Sequence, residues 1–149
     1  MNWQATRVFL VDDHEVLRWG MRNLLMGDET IEIVGESATA RDAVARIPML
    51  RPDVAVLDVR MPDGSGIDVC RSIRARDPTI NVLMLTGYDD QAVEALSAGA
   101  AGYFLKSAPG SALVAAIHTV ARGERAIDPA VLPRFAIESV MGWTATRWR

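Results

Sequence analysis

Val54-Ala55-Val56-Leu57-Asp58-Val59-Arg60-Met61-Pro62-Asp63-Gly64-Ser65-Gly66 is the stretch that decides how this chain folds. Its first four residues are apolar without alternation, which predicts a central parallel strand buried on both faces. An acid follows at once, and the loop Asp58–Gly66 carries Pro62 and Gly64, both turn residues. Ile67, Cys70 and Ile73 then recur at helical spacing.

The same unit repeats on either side. Val8-Phe9-Leu10-Val11 reads as a strand ending in Asp12-Asp13-His14, after which Val16, Leu17, Met21, Leu24 and Leu25 fall on one helix face. Ile31-Glu32-Ile33-Val34 is a second strand, and its acid suggests a sheet edge. Ala43, Val44 and Ile47 mark a helix stopped near Pro48. Downstream, Ile80–Leu85 is a strand that stops at Thr86-Gly87, and Ala92, Val93 and Leu96 form a short helix. Gly102–Leu105 is a short strand ending at Lys106, followed by a helix through Leu113, Val114, Ile117, Val120 and Ala121. Strict alternation of five such units predicts an α/β fold with helices covering a parallel sheet.

Composition narrows the function classes. At 149 residues, 50% hydrophobic and 23% charged, the chain has room for one domain and is too apolar to be a disordered tail. The longest uncharged stretch, Ser107–Ala121, is too short and too polar to span a bilayer, and the N-terminus shows no secretory signal. A cytoplasmic location without membrane association is the expectation. A net charge of −3 argues against a nucleic-acid surface spread over the whole chain. The single cysteine, Cys70, excludes an internal disulfide and reads as a buried thiol. Of the 16 cationic side chains, Lys106 alone is a lysine, and it stands at a strand end.

Parallel α/β folds build their sites at the carboxyl ends of the strands. Asp12, Asp13, Asp58, Thr86 and Lys106 all fall there. Two unit charges about 4 Å apart repel by about 4 kcal/mol at an effective dielectric near 20. Three clustered carboxylates therefore call for a cation, and Mg²⁺, which bridges readily to phosphate oxygens, suits them. Carboxylates, a metal, a hydroxyl and an ammonium fit phosphoryl chemistry with a carboxylate nucleophile. Neither G-x-G-x-x-G nor G-x-x-x-x-G-K-[ST] occurs, and Asp12-Asp13 would repel a phosphate, so free nucleotide or flavin binding is disfavoured.

Val11-Asp12-Asp13-His14, Leu57–Gly66, Thr86-Gly87 and Tyr103-Phe104-Leu105-Lys106 together resemble the receiver domain of bacterial two-component response regulators. The resemblance covers roughly residues 5–122. The Asp-Asp-His-Glu start, the Met-Pro-Asp-Gly loop and Ala98-Gly99-Ala100-Ala101-Gly102-Tyr103 look most like the NarL/FixJ (LuxR-type) branch. It implies a flavodoxin-like (βα)5 fold with a five-stranded sheet in the order 2-1-3-4-5. It also implies that Asp58 accepts a phosphoryl group from a sensor histidine kinase. Mg²⁺ would be held by Asp13, Asp58 and the backbone carbonyl of Arg60, with Asp12 acting through water. Lys106 would pair with the phosphoryl oxygens, while Thr86 and Tyr103 would form the switch. Apart from self-phosphorylation and self-dephosphorylation, such a domain is not an enzyme. The remaining readings are an interaction module that takes no phosphate and a haloacid-dehalogenase-like phosphohydrolase. The latter wants a second Asp where Arg60 stands.

Two positions depart from the family pattern. Lys106 precedes Ser107 instead of the usual proline, and a cis Lys-Ser bond would cost about 3–4 kcal/mol. Arg60 and Tyr88, at positions that tune phosphoryl lifetime in the family, are both bulky and predict slow self-hydrolysis. Outside the resemblance, His14 reads as a partly exposed helix start and His118 as a surface or interface side chain. Asp89-Asp90 reads as the start of the fourth helix, and Asp63 as a residue that shapes its loop.

Residues 123–149 are expected to be a linker helix and tail, starting with Asp128 as N-cap and Pro129 in the first turn. In the NarL/FixJ branch such a helix leads to a helix-turn-helix domain. The 27 residues left after Arg122 are too few for one, so DNA contact is expected only through a domain absent from this chain. An apolar linker helix also suggests a homodimer.

Overall fold

Along the first strand, β1 (Thr6–Val11), Val8 and Leu10 face one side of the sheet while Phe9 and Val11 face the other, and all four are buried. That alternation sorts the core into two layers. The computed structural model describes residues 4–134. In chain order β1 is followed by α1 (Glu15–Met26), β2 (Ile31–Ser37), α2 (Ala40–Leu50), β3 (Val54–Leu57) and a two-stranded hairpin of β4 (Arg60–Met61) and β5 (Gly64–Ser65). Then come α3 (Gly66–Arg76), β6 (Asn81–Thr86), α4 (Ala92–Ser97), β7 (Gly102–Leu105), α5 (Gly110–Ala121) and β8 (Ala126–Ile127).

The main sheet is ordered β2-β1-β3-β6-β7-β8, and its paired strands are parallel. Its first five members reproduce the expected 2-1-3-4-5 order. All of β3 is buried, as its apolar run predicts, and Glu32 lies exposed on edge strand β2. Helices α2, α3 and α4 cover the layer containing Phe9, Leu57 and Met84; α1 and α5 cover the layer containing Leu10, Val56 and Phe104. Cys70 is fully buried, and burial pushes its thiol up to about 11, as expected of a thiol packed as a small apolar group.

Several local readings need correction. Helix α2 does not stop at Pro48: it runs through to Leu50, because Ile47 and Leu50 pack into the core and only the last turn loses a hydrogen bond. The α1 stripe is only partly buried. Met21 and Leu25 face the core, whereas Val16 is 82% exposed and Leu24 leans out over Gly110. Asp63 does more than shape its loop. Its carboxylate accepts from the backbone N–H of Ala40 and Arg41 at 2.7 and 3.0 Å, capping α2 from another element. Asp89 and Asp90 do not begin α4, whose N-cap is Gln91; they form the preceding turn and pair with Arg134 and Arg60. His118 is half-exposed, as a surface side chain should be, and its Nε2 lies 2.8 Å from Thr30 Oγ1.

The chain after α5 carries a strand that periodicity does not reveal. The two residues of β8 extend the sheet past β7, with Tyr103 opposite Ile127. Asp128 donates its N–H to the Tyr103 carbonyl at 2.9 Å, and its Oδ2 accepts from Leu105 N at 3.0 Å. Asp128 therefore completes the β7 edge, and its Oδ1 also accepts from Ala130 N at 3.0 Å, capping the turn over Pro129–Val131 that leads into the helical residues Leu132–Arg134. Val131 is fully buried in the layer of Tyr103. The rest of the expected linker helix and the tail lie outside the described residues.

Candidate phosphoryl-acceptor site

Asp12, Asp58 and Lys106 sit just beyond strands whose hydrogen-bond ladder holds them in place, and Thr86 is the last residue of β6. Asp12 N donates to Ser37 O at 3.1 Å, Asp58 N to Val11 O at 3.0 Å, and Lys106 N to Thr86 O at 2.8 Å. The parallel register thus sets Asp58 beside Asp12, and Lys106 beside Thr86. Behind Asp58 the β4–β5 hairpin brings the chain back to the start of α3, with Gly66 N donating to Val59 O at 2.7 Å. A Cβ on Gly66 would stand 1.8 Å from the Asp58 carbonyl oxygen, so only glycine lets α3 start here.

Lys106 reaches across the rim and links two carboxylates. Its Nζ donates to Asp58 Oδ2 at 2.7 Å and lies 2.9 Å from Asp12 Oδ2. Both aspartates are buried, at 3% and 4% exposure. Burial works against the ammonium, but its hydrogen bonds to Asp58 and Asp12 outweigh that and hold Lys106 above the ordinary lysine range. Asp13 is half-exposed on the solvent side of the cluster. Oxygens of Asp12, Asp13 and Asp58 and a nitrogen of His14 can be chosen that all lie within 4.8 Å of one another. Three carboxylates against one ammonium leave two negative charges, the complement of a divalent cation, so the donor set fits Mg²⁺.

The other candidates surround this centre. Arg60 N donates to Asp58 Oδ1 at 3.3 Å. Its guanidinium stacks over the Tyr88 ring, 3.6 Å from the centroid, with Asp90 3.7 Å away. Arg60 and Tyr88 line one wall of a cavity of about 560 Å³ that also holds Asp13, Asp58 and Lys106. Thr86 is fully buried behind it, its Oγ1 accepting from Tyr88 N at 3.4 Å. Tyr103 is equally buried and donates its hydroxyl to the Tyr88 carbonyl; burial pushes its phenol up to about 12. The peptides described are trans, Lys106–Ser107 among them.

Two contributors lie beyond the sequence reading. Arg18 NH1 donates to the Asp12 carbonyl at 2.5 Å while its Nε pairs with Glu36 at 3.2 Å, bracing the acidic loop against β2. The one available signal is its place a helical turn after His14. His14 is the helix start expected of it, but its ring also enters the carboxylate cluster, with Nδ1 3.1 Å from Asp12 Oδ1.

Residues 8–118 match the family model described as the response regulator receiver domain. The DNA-binding transcriptional activator DevR/DosR of Mycobacterium tuberculosis is 47% identical over 124 residues, 82% of this chain and 57% of that protein. The response regulator protein VraR of Staphylococcus aureus is 37% identical over 85% of this chain and 61% of its own length. The chain thus spans about three-fifths of these curated relatives. A LuxR-family two-component response regulator from Aurantimonas superposes with a TM-score of 0.86 at 34% identity, covering 92% of this chain and 99% of that one. The receiver domain of the NarL regulator from Mycobacterium tuberculosis gives 0.78 at 33% identity, over 81% and 99%. Among the described residues no helix is long and apolar enough to cross a membrane. With the family model covering most of its length and these relatives on either side, the chain belongs to the response regulator receiver family, in company with the LuxR/NarL-type regulators.

Proposed function

We propose that this chain takes a phosphoryl group onto Asp58 from the phosphohistidine of a sensor kinase and so switches a signalling surface. The observation that carries this reading is Lys106 Nζ, held 2.7 Å from Asp58 Oδ2 and 2.9 Å from Asp12 Oδ2. An Asp58 oxygen attacks phosphorus as the P–N bond of the donor breaks. The electron pair returns to the imidazole nitrogen. Lys106 then pairs with the transferred phosphoryl oxygens in place of the carboxylate it holds now. Asp13, Asp58 and the Arg60 carbonyl would hold Mg²⁺, with Asp12 acting through water. When bound there, the ion would supply charge neutralisation at the phosphoryl oxygens.

The readout follows from what the new charge displaces. Thr86 exchanges its contact with Tyr88 N for a phosphoryl oxygen, and the Tyr103–Tyr88 bond ties that movement to β7. The Arg60–Tyr88 stack walls the cavity and slows water attack on the phosphoryl group. In the whole protein the domain is the regulatory half of a cytoplasmic transcription regulator. DNA contact would belong to a separate helix-turn-helix domain, with homodimerisation as the output step.

Incubation with acetyl phosphate and Mg²⁺, followed by intact-mass measurement, tests this. One added phosphoryl group that Asp58→Asn abolishes is the expected result. Steady turnover without a retained group would identify a phosphohydrolase, and no uptake would identify a pure interaction module.

A further inference from the structure

Among the described residues, Asp128 is the one buried acid outside the phosphoryl-acceptor site, at 7% exposure. Burying a carboxylate is costly unless its oxygens are answered, and here both are. Oδ2 accepts from Leu105 N at 3.0 Å and Oδ1 from Ala130 N at 3.0 Å, while its own N–H donates to the Tyr103 carbonyl at 2.9 Å. The turn alone does not call for a buried charge, since a serine hydroxyl caps such a turn as well. The bond to Leu105 supplies the reason. With Asp128 N on the Tyr103 carbonyl, the next rung of a parallel ladder would run from Leu105 N to the main-chain carbonyl of residue 128. The chain turns away at Pro129, and the carboxylate takes that rung instead.

The amides at the end of β7 are therefore pinned from opposite sides. Leu105 N is held by Asp128, and Lys106 N by Thr86 O at 2.8 Å. Leu105 immediately precedes the residue whose ammonium lies 2.7 Å from Asp58 Oδ2 and 2.9 Å from Asp12 Oδ2. We propose that Asp128 is a positioning residue for phosphoryl transfer: it fixes the end of β7 and so sets the Lys106 ammonium against Asp58. The proposal rests on reading Asp58 as the phosphoryl acceptor. It also makes the chain after α5 part of the frame of that site, so a load on residues beyond Asp128 reaches Lys106 through a single peptide unit.

Lys106 is the chain's single lysine, so lysine labelled with ¹³C at Cε gives one signal to follow. Wild type, Asp128→Ser and Asp128→Ala are compared in the full chain with Ile47→Val, a core truncation on α2 that controls for lost stability. Serine keeps the cap on Ala130 but is one bond too short to hold Leu105 as well. Phosphorylation by acetyl phosphate with Mg²⁺ is timed by intact mass. Asp128→Ser and Asp128→Ala should both shift the Lys106 signal and slow phosphorylation about tenfold. Ile47→Val should change neither. If Asp128→Ala does not fold, Asp128→Ser decides alone. A wild-type Lys106 signal and rate in Asp128→Ser would overturn the proposal and leave Asp128 as a turn cap. So would an equal slowing in Ile47→Val, which would assign the effect to stability. If the wild type itself takes no phosphoryl group, the underlying reading fails, and the Lys106 signal then decides whether Asp128 places the ammonium.

Discussion

Lys106 Nζ stands 2.7 Å from Asp58 Oδ2, and the two side chains arrive from opposite sides of β6. One ammonium thereby offsets two buried carboxylates. Removing it as Lys106→Met leaves Asp12 and Asp58 facing each other unpaired and should cost about 2 kcal/mol at pH 7 by urea unfolding. The pH dependence follows from the raised folded-state value. The wild-type advantage is fully present below the unfolded lysine value of about 10.4 and is lost as pH rises through the higher folded value. An advantage that falls away already between pH 7 and 9 would contradict the pairing.

Gly66 and Gly87 flank the same centre and should respond oppositely to alanine. At Gly66 the new methyl meets the Asp58 carbonyl, so Gly66→Ala is expected to cost about 3 kcal/mol or more and to shift the acceptor. No atom lies within 4 Å of a Cβ on Gly87, and Gly87→Ala should change stability by no more than about 0.5 kcal/mol. Thermal unfolding of the two variants side by side makes the comparison.

The Arg60–Tyr88 stack makes a kinetic prediction. Arg60→Ala and Tyr88→Ala each open the cavity wall and should each shorten the phosphoryl half-life, with the double variant little worse than either single one because the two side chains act together. Mass spectrometry of decay after removal of the phosphodonor reads this. Half-lives equal to wild type would remove the stack from the account.

Val131 is fully buried although it lies beyond α5. Val131→Ala should cost about 2 kcal/mol and lower Tm by about 5–8 °C. A truncation ending at Arg122 should lose more than that and expose the β7 edge to self-association, visible by light scattering.

Some of this arrangement is legible in the sequence and some is not. Asp12, Asp58, Thr86 and Lys106 can be read directly because each ends a short apolar run, and a parallel sheet brings such ends to one rim. The burial of β3 follows from the same runs, whereas the sheet order is legible only through the family resemblance. The strand β8 escapes because two residues carry no periodicity, and its pairing is a property of the β7 edge. Asp63 capping α2 and Arg18 bracing Asp12 escape for another reason. Asp63 reaches α2 through two backbone hydrogen bonds and Arg18 ties the Asp12 loop to Glu36 on β2, contacts between elements that hydrophobic periodicity does not mark. The Pro48 misreading has a third cause, tertiary packing of Ile47 and Leu50 outweighing a local helix breaker.

Arg134 lies 3.5 Å from Asp89, and Asp89 belongs to the loop that leaves Thr86. Both side chains are 45% exposed, which limits such a pair to about 1 kcal/mol. Any movement of that loop on phosphorylation changes the hold on the residues after β8. By thermodynamic reciprocity, whatever engages those residues changes the equilibrium at Asp58 by the same factor. The ceiling on that factor is about fivefold. A pair of that strength would grade an output and could not by itself carry an all-or-none switch.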